Sequence, residues 1–178
     1  MMKKLFLLTI LLASLTTART FAQGASNTIK INPLSALFRT GSVFYEHKVS
    51  EKASVQLGAA FTGLKIDDTR FSGFSITPEY RIYPKGNALS GLYVAPYARY
   101  QNFSVKDEEA KGSYSSIGGG LLVGRQWVYN SGFTLDLFFG PAYNAGKIKA
   151  EAGSEEPEVK GSIDGFGIRT GILIGFGF

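Results

Sequence analysis

The last fourteen residues, GFGIRTGILIGFGF at 165–178, alternate between two kinds of side chain. Even positions carry Phe166, Ile168, Thr170, Ile172, Ile174, Phe176 and Phe178, while odd positions carry Gly165, Gly167, Arg169, Gly171, Leu173, Gly175 and Gly177. A period of two is the mark of an extended strand whose faces meet different surroundings. Here one face is almost wholly apolar up to the terminus, and the other is small with one cation in its middle. A chain end normally frays into water and is polar, so a strand that stops on a bulky aromatic requires apolar surroundings on that face.

The alternation recurs upstream. Phe133, Leu135, Leu137, Phe139, Pro141 and Tyr143 oppose Thr134, Asp136, Phe138, Gly140, Ala142 and Asn144. Val55, Leu57, Ala59 and Phe61 oppose Gln56, Gly58, Ala60 and Thr62, and Ile76, Pro78, Tyr80 and Ile82 oppose Thr77, Glu79, Arg81 and Tyr83. Eight such stretches are predicted, at 28–38, 42–49, 53–63, 74–84, 92–105, 114–129, 133–146 and 162–178, with turn-forming or acidic stretches between them. In a soluble barrel or sandwich the apolar face packs inward and the other face carries solvated polar residues. Here the second face is glycine, alanine and isolated charges, which suits a crowded interior instead. The arrangement expected is therefore the inverted one: an all-β, eight-stranded, antiparallel, up-and-down transmembrane β-barrel with apolar side chains toward lipid. Closure removes every strand edge, as the bilayer requires. The glycines then make room in a narrow lumen, and Gly171→Ser is expected to be mild unless side chains clash.

The N-terminal segment fits export. MMKK precedes the apolar run LFLLTILLASL at 5–15, and Thr20-Phe21-Ala22 supplies a small-residue cleavage site. This reads as a cleaved signal peptide over 1–22, with the barrel over 23–178. Its removal takes away Lys3, Lys4 and Arg19 and no acid, lowering the formal charge from +5 to +2. The basicity is thus largely a targeting feature, and nucleic acid is not implied as a partner. With no cysteine in the chain, disulfides cannot hold the exported domain together.

Seven charges take the inward phase: Lys30, Glu46, Glu79, Arg81, Arg99, Asp136 and Arg169. An eight-stranded lumen is only wide enough for side chains. Unpaired charges there would cost several kcal/mol each, so they are expected to form one network that plugs the barrel. A narrow ion path is the alternative use of the same residues. The single histidine, His47, takes the outward phase near the predicted turn at 50–52 and lacks the partners of a catalytic triad or metal site. GGGLLVG at 118–124 and GFGIRTG at 165–171 miss the spacing of nucleotide loops and open no helix. No catalytic residue, cofactor or metal site is expected.

INPLSALFRTGSVFYEHKVSEKASVQLGAAFTG (31–63), FSITPEYRIYP (74–84) and GLYVAPYARY (91–100) are similar to a family of small uncharacterised outer-membrane barrels common in Bacteroidetes. The eight strands, leader and apolar-ended final strand resemble the transmembrane domain of OmpA. The resemblance implies a bacterial outer-membrane location with both termini periplasmic. It also implies an assembly signal at Phe176 and Phe178, read by the barrel-assembly machinery. The acidic connections (Asp67, Asp68; Asp107, Glu108, Glu109; Glu151, Glu155, Glu156, Glu158) would then face outward, toward lipopolysaccharide. The function expected is that of a non-enzymatic outer-membrane barrel, structural or an accessory subunit of a larger envelope complex. A small transport or channel protein is the alternative, and a lipid-modifying enzyme is less favoured.

Overall fold

The structure is a computed structural model and describes residues 24–66, 69–106, 111–150 and 165–178. Its strands are β1 (Asn27–Ile31), β2 (Thr40–Ser50), β3 (Ala53–Ile66), β4 (Thr69–Ile82), β5 (Gly91–Lys106), β6 (Lys111–Val128), β7 (Phe133–Ala150) and β8 (Gly165–Gly177). Each pairs antiparallel with its neighbours in chain order, and β1 pairs with β8 to close the barrel. The seam is finished by the C-terminal backbone. The Phe178 carbonyl accepts from the Asn27 and Ser26 amides at 2.9 and 3.1 Å, and the Phe178 amide donates to the Asn27 carbonyl at 2.9 Å.

The eight expected strands are present, with different ends. The first was expected to run over 28–38, but β1 stops at Ile31 and Pro33–Phe38 forms a 3-10 helix. Proline favours a first helical turn because its φ is preset and its missing amide would be unpaired there anyway. Asn32 caps that turn by accepting from the Leu34 amide at 3.0 Å. Arg39, in the left-handed region at φ 49°, ends it. Conversely, the segments 64–72 and 106–112, expected as loops, largely continue β3 into β4 and β5 into β6, with Ile66 paired to Thr69 and Lys106 to Lys111. Polar residues on both faces obscure the period of two there, while the backbone ladder continues regardless of side-chain polarity.

The faces fall as the alternation demands. Val55, Leu57, Phe61, Tyr80, Leu121, Phe139, Phe166 and Ile168 are exposed on the outer wall, whereas Lys30, Glu46, Arg81, Gln126 and Asp136 are buried in the lumen. Aromatics gather near both rims of the outer wall: Tyr129 and Phe133 at the end that holds the termini, Phe74 with Tyr100 and Tyr143 with Phe166 at the other. Among the described residues no helix is long and apolar enough to cross a membrane.

Three prolines sit inside strands, on the outer wall, and their positions have a common cause. Pro78 and Pro96 pair across one edge with Leu57 and Leu121. On their other edges both face the β4–β5 ladder, which is interrupted there: it pairs Ile76 with Tyr100, then only Glu79 with Tyr97 and Ile82 with Val94. Pro141 pairs with Ile168 in β8 and faces the gap in the β6–β7 ladder between Gly120/Ala142 and Val123/Phe139. Each proline thus places its missing donor where a ladder is already broken.

Inside the lumen, glycines on one strand receive aromatic rings from the next. Phe44 lies opposite Gly58, Tyr93 opposite Gly124, Tyr97 opposite Gly120 and Phe138 opposite Gly171. A β-carbon at Gly58 would fall 2.6 Å from the Phe44 ring, and one at Gly171 2.5 Å from the Phe138 ring. Both rings are buried and cannot swing away. The clash that the expectation for Gly171→Ser set as its exception is therefore present. The substitution should lower stability by about 1–3 kcal/mol through overpacking. Gly41→Ser, where nothing lies within 4 Å of the added carbon, should leave the unfolding midpoint nearly unchanged; denaturant titration of both variants checks the contrast.

Candidate functional site

Six of the seven predicted lumen charges form one connected cluster. Arg81 is its hub. It projects from the last turn of the β4 pleat into the barrel axis and is fully buried. Its Nη1 donates to Asp136 Oδ2 at 2.7 Å, to Gln126 Oε1 at 3.1 Å and to Glu46 Oε2 at 3.4 Å. Its Nε and Nη2 donate to Glu79 Oε2 at 3.2 and 2.9 Å. The guanidinium carbon also lies 4.3 Å from the centre of the Tyr93 ring, a cation–π contact.

Lys30, from the short β1, enters the same cluster. Its Nζ donates to Glu46 Oε2 at 2.6 Å, Asp136 Oδ2 at 2.9 Å and Gln126 Oε1 at 2.5 Å, using the three donors of an ammonium. The remaining carboxylate oxygens are also served. Glu46 Oε1 accepts from Ser54 Oγ and from Tyr83 Oη at 2.8 Å, and Asp136 Oδ1 accepts from Tyr93 Oη at 2.7 Å. Tyr83 lies beyond the end of β4; burial first, and then the Glu46 carboxylate, push its phenol well above the usual tyrosine range and keep it a donor.

The β4–β5 connection folds inward and closes the lumen at the end that holds the termini. Tyr83, Ala88 and Leu89 are buried within it. Leu89 adopts φ 71°, uncommon for a residue with a β-carbon. It is held there because its carbonyl accepts from Gln126 Nε2 at 2.8 Å while its side chain fills the barrel end. Phe44, Ala95, Tyr97, Leu122, Phe138 and Leu173 form the apolar and aromatic part of the lumen core, with Leu173 registered opposite Asp136 and Tyr97 opposite Glu79.

Arg169 packs against two of these rings. Its guanidinium carbon lies 4.5 Å from the Tyr97 ring centre and 5.0 Å from that of Phe138. Its Nη2 is 2.8 Å from Glu79 Oε1, an ion pair that falls outside hydrogen-bond alignment. Lys30, Arg81 and Arg169 therefore balance Glu46, Glu79 and Asp136, three charges against three. Arg99 does not join them. It points into the lumen from β5, half-buried, and among the described residues it has no carboxylate partner. The expectation of a single seven-member network is corrected here: Arg99 takes the inward phase, but among the described residues no carboxylate lies within ion-pair distance of it.

Alternation alone did not reveal the uncharged members of the cluster. Gln56, Gln126, Ser54, Thr28, Tyr83 and Tyr93 all serve it. Their inward phase was legible, but nothing local marks a tyrosine as luminal when most tyrosines on these strands face outward. His47 lies on the outer wall as expected, its Nδ1 2.8 Å from Asn27 Oδ1, which also accepts from Tyr45 Oη. Arg125 is likewise outward, 5.0 Å from the Trp127 ring centre. Phe176 and Phe178 occupy the outward phase of β8 at the terminal rim. Residues 1–22 and the acids Asp67, Asp68, Asp107, Glu108, Glu109, Glu151, Glu155, Glu156 and Glu158 lie outside the described residues.

The chain belongs to the family described as "Protein of unknown function (DUF3575)", which matches residues 6–150. No curated protein matches the chain, and no solved structure does.

The geometry makes the acids of the cluster structural keystones. Asp136→Leu leaves Lys30 and Arg81 without their shared carboxylate and Tyr93 without its acceptor, and should cost about 3–5 kcal/mol, the range for a broken buried pair. Glu51→Gln breaks only the exposed Lys48–Glu51 pair at 2.9 Å and should leave stability within about 1 kcal/mol of wild type. Urea unfolding of the two variants side by side measures the difference.

Proposed function

We propose that this member of the family is an integral protein of the bacterial outer membrane: a non-enzymatic barrel with both termini periplasmic, serving as a structural element or as an accessory subunit of a larger envelope complex. The observation that carries the reading is the inverted wall. Large apolar side chains stay exposed on β1 to β8, with Leu57 54%, Phe61 65%, Phe139 64% and Ile168 82% exposed. Soluble proteins rarely expose a contiguous apolar patch beyond a few hundred Å². An apolar outer wall between aromatic rims, a polar lumen and a ladder without edges together match what a bilayer demands. Membrane lipid is the immediate partner on this reading, with lipopolysaccharide facing the end opposite the termini.

The charge-balanced cluster and the inward-folded β4–β5 connection support a plugged barrel over a diffusion channel. Wide pores leave water between lumen side chains, whereas here Arg81, Glu46, Gln126 and Asp136 have no exposure. His47 shares the Asn27 amide oxygen with the Tyr45 hydroxyl on the outer wall, an arrangement in keeping with a structural role. The leader over 1–22 supplies the export step, and the similarity to OmpA-type barrels supplies the assembly route through the barrel-assembly machinery.

The protein should fractionate with outer membranes and migrate differently on a detergent gel before and after boiling, because a closed ladder resists detergent. In planar bilayers it should show no steady conductance. Recovery in the soluble periplasm without a mobility shift would refute the membrane reading, and a stable unitary conductance would replace the plug with a channel. Native pull-down from membranes then identifies the complex, if the role is accessory.

The terminal aromatic calls for a substitution rather than a deletion. Deleting Phe178 would remove three backbone hydrogen bonds that close the β1–β8 seam, so both assembly and stability would suffer. Phe178→Ala keeps those bonds and removes only the ring. It should reduce the amount of barrel inserted while leaving the melting temperature of inserted protein close to wild type. Normal insertion of Phe178→Ala would mean that the ring is a rim contact and not an assembly signal.

A further inference from the structure

The charge balance inside the barrel is uneven along its axis. Near the terminal end Lys30 and Arg81, joined by Arg169 from the cavity side, neutralise three carboxylates. Toward the opposite end a cavity of about 390 Å³ is lined by Tyr97, Arg99, Gln101, Asn144 and Arg169, and among the described residues no acid lies on its wall. Among the described residues, four buried side-chain atoms lack a hydrogen-bond partner: Gln56 Oε1, Glu79 Oε1, Arg99 Nε and Arg169 Nη1. Both of the unpartnered donors belong to the two arginines of this cavity.

A guanidinium held away from water without an acceptor costs several kcal/mol. Arginine cannot escape the penalty by releasing its proton. Arg169 is further constrained, since the Tyr97 and Phe138 rings hold its plane and Glu79 occupies only Nη2. Among the described residues Arg99 makes no ion pair, and its Nε has no acceptor. Two guanidinium groups, each with one buried N–H that lacks an acceptor, line the same cavity beside the neutral amides of Gln101 and Asn144, a donor set suited to a small oxyanion. Guanidinium geometry matches phosphate and carboxylate oxygens in pairs of parallel hydrogen bonds.

We infer that the cavity between Arg99 and Arg169 binds a small oxyanion of the phosphate class, whose negative charge completes the lumen network. The Tyr97 ring and the backbone of β8 wall the cavity on one side, so the site admits a compact anion or a phosphate carried on a narrow group. This inference rests on the lumen geometry and not on where the barrel resides, so it is tested in detergent.

The experiment compares the folded full chain in a maltoside detergent, free of phosphate, with the same sample titrated with inorganic phosphate or with sodium chloride at matched ionic strength. The melting temperature of the wild-type barrel should rise with the logarithm of phosphate concentration, as for any ligand that binds only the folded state, and chloride should not reproduce the rise. Arg99→Gln should lose the phosphate response, with affinity reduced about tenfold or more. Without phosphate it should melt at or above the wild-type temperature, because it removes an unbalanced cation while leaving the Arg81 cluster intact. Arg99→Lys keeps the charge but not the fork and should retain a weakened response. Equal effects of phosphate and chloride on wild type would overturn the proposal. So would an undiminished phosphate response in Arg99→Gln, or a loss of stability in that variant without phosphate, since the latter would mean that the protein itself already neutralises Arg99. Arms with methyl phosphate and with a short-chain phospholipid distinguish a free anion from a lipid head group: a response to both soluble phosphates assigns a free ligand, and a response to the phospholipid at lower concentration assigns a head group.

Discussion

One buried guanidinium links half of the barrel. Arg81 reaches Glu46 on β2, Glu79 on its own strand, Gln126 on β6 and Asp136 on β7, so strands far apart in sequence meet at a single side chain. A charge in a water-poor lumen is tolerable only when its partners are all in place. That requirement specifies more than attraction. A shift of one residue in the register of β2, β6 or β7 would turn Glu46, Gln126 or Asp136 outward onto the apolar wall. The cluster therefore acts as a lock on register for an architecture whose apolar outer face is too uniform to select one.

Steric pairing adds a second level of specification. The lumen of eight strands leaves room for one layer of large side chains at a time, and the strands share it by setting ring against glycine: Phe44 against Gly58, Tyr93 against Gly124, Phe138 against Gly171. Each pair spans one ladder, so its fit depends on the same register that the charges enforce. Arg169 links the charged cluster to the cavity that Arg99 also lines, held between the Tyr97 and Phe138 rings.

The backbone departs from regularity only where another interaction compensates. Prolines fall at interruptions of the β4–β5 and β6–β7 ladders. Leu89 holds a left-handed conformation because Gln126 and the barrel interior hold it. Gly175 packs directly on the β1 backbone beside Lys30, which lets the five-residue β1 close the seam despite its length.

The sequence by itself determined the class of the fold, the number of strands, and which face of each strand looks where. The period of two is a local property, readable residue by residue from 165–178 or 53–63 without knowing any neighbour. The inward phase of all seven charges was legible for the same reason. The end of β1 was carried by a local signal too, Asn32 before Pro33, which a strand-centred reading passed over. What the tertiary structure alone decided was partnership. Lys30 meets Asp136 across 106 positions of chain, and Arg99 meets no acid although its phase matches theirs. Phase assigns a side chain to the lumen but not to a height along the axis. Height follows from register and stagger around a closed ladder, which no single strand encodes, and of the two arginines on the cavity wall only Arg169 reaches an acid among the described residues.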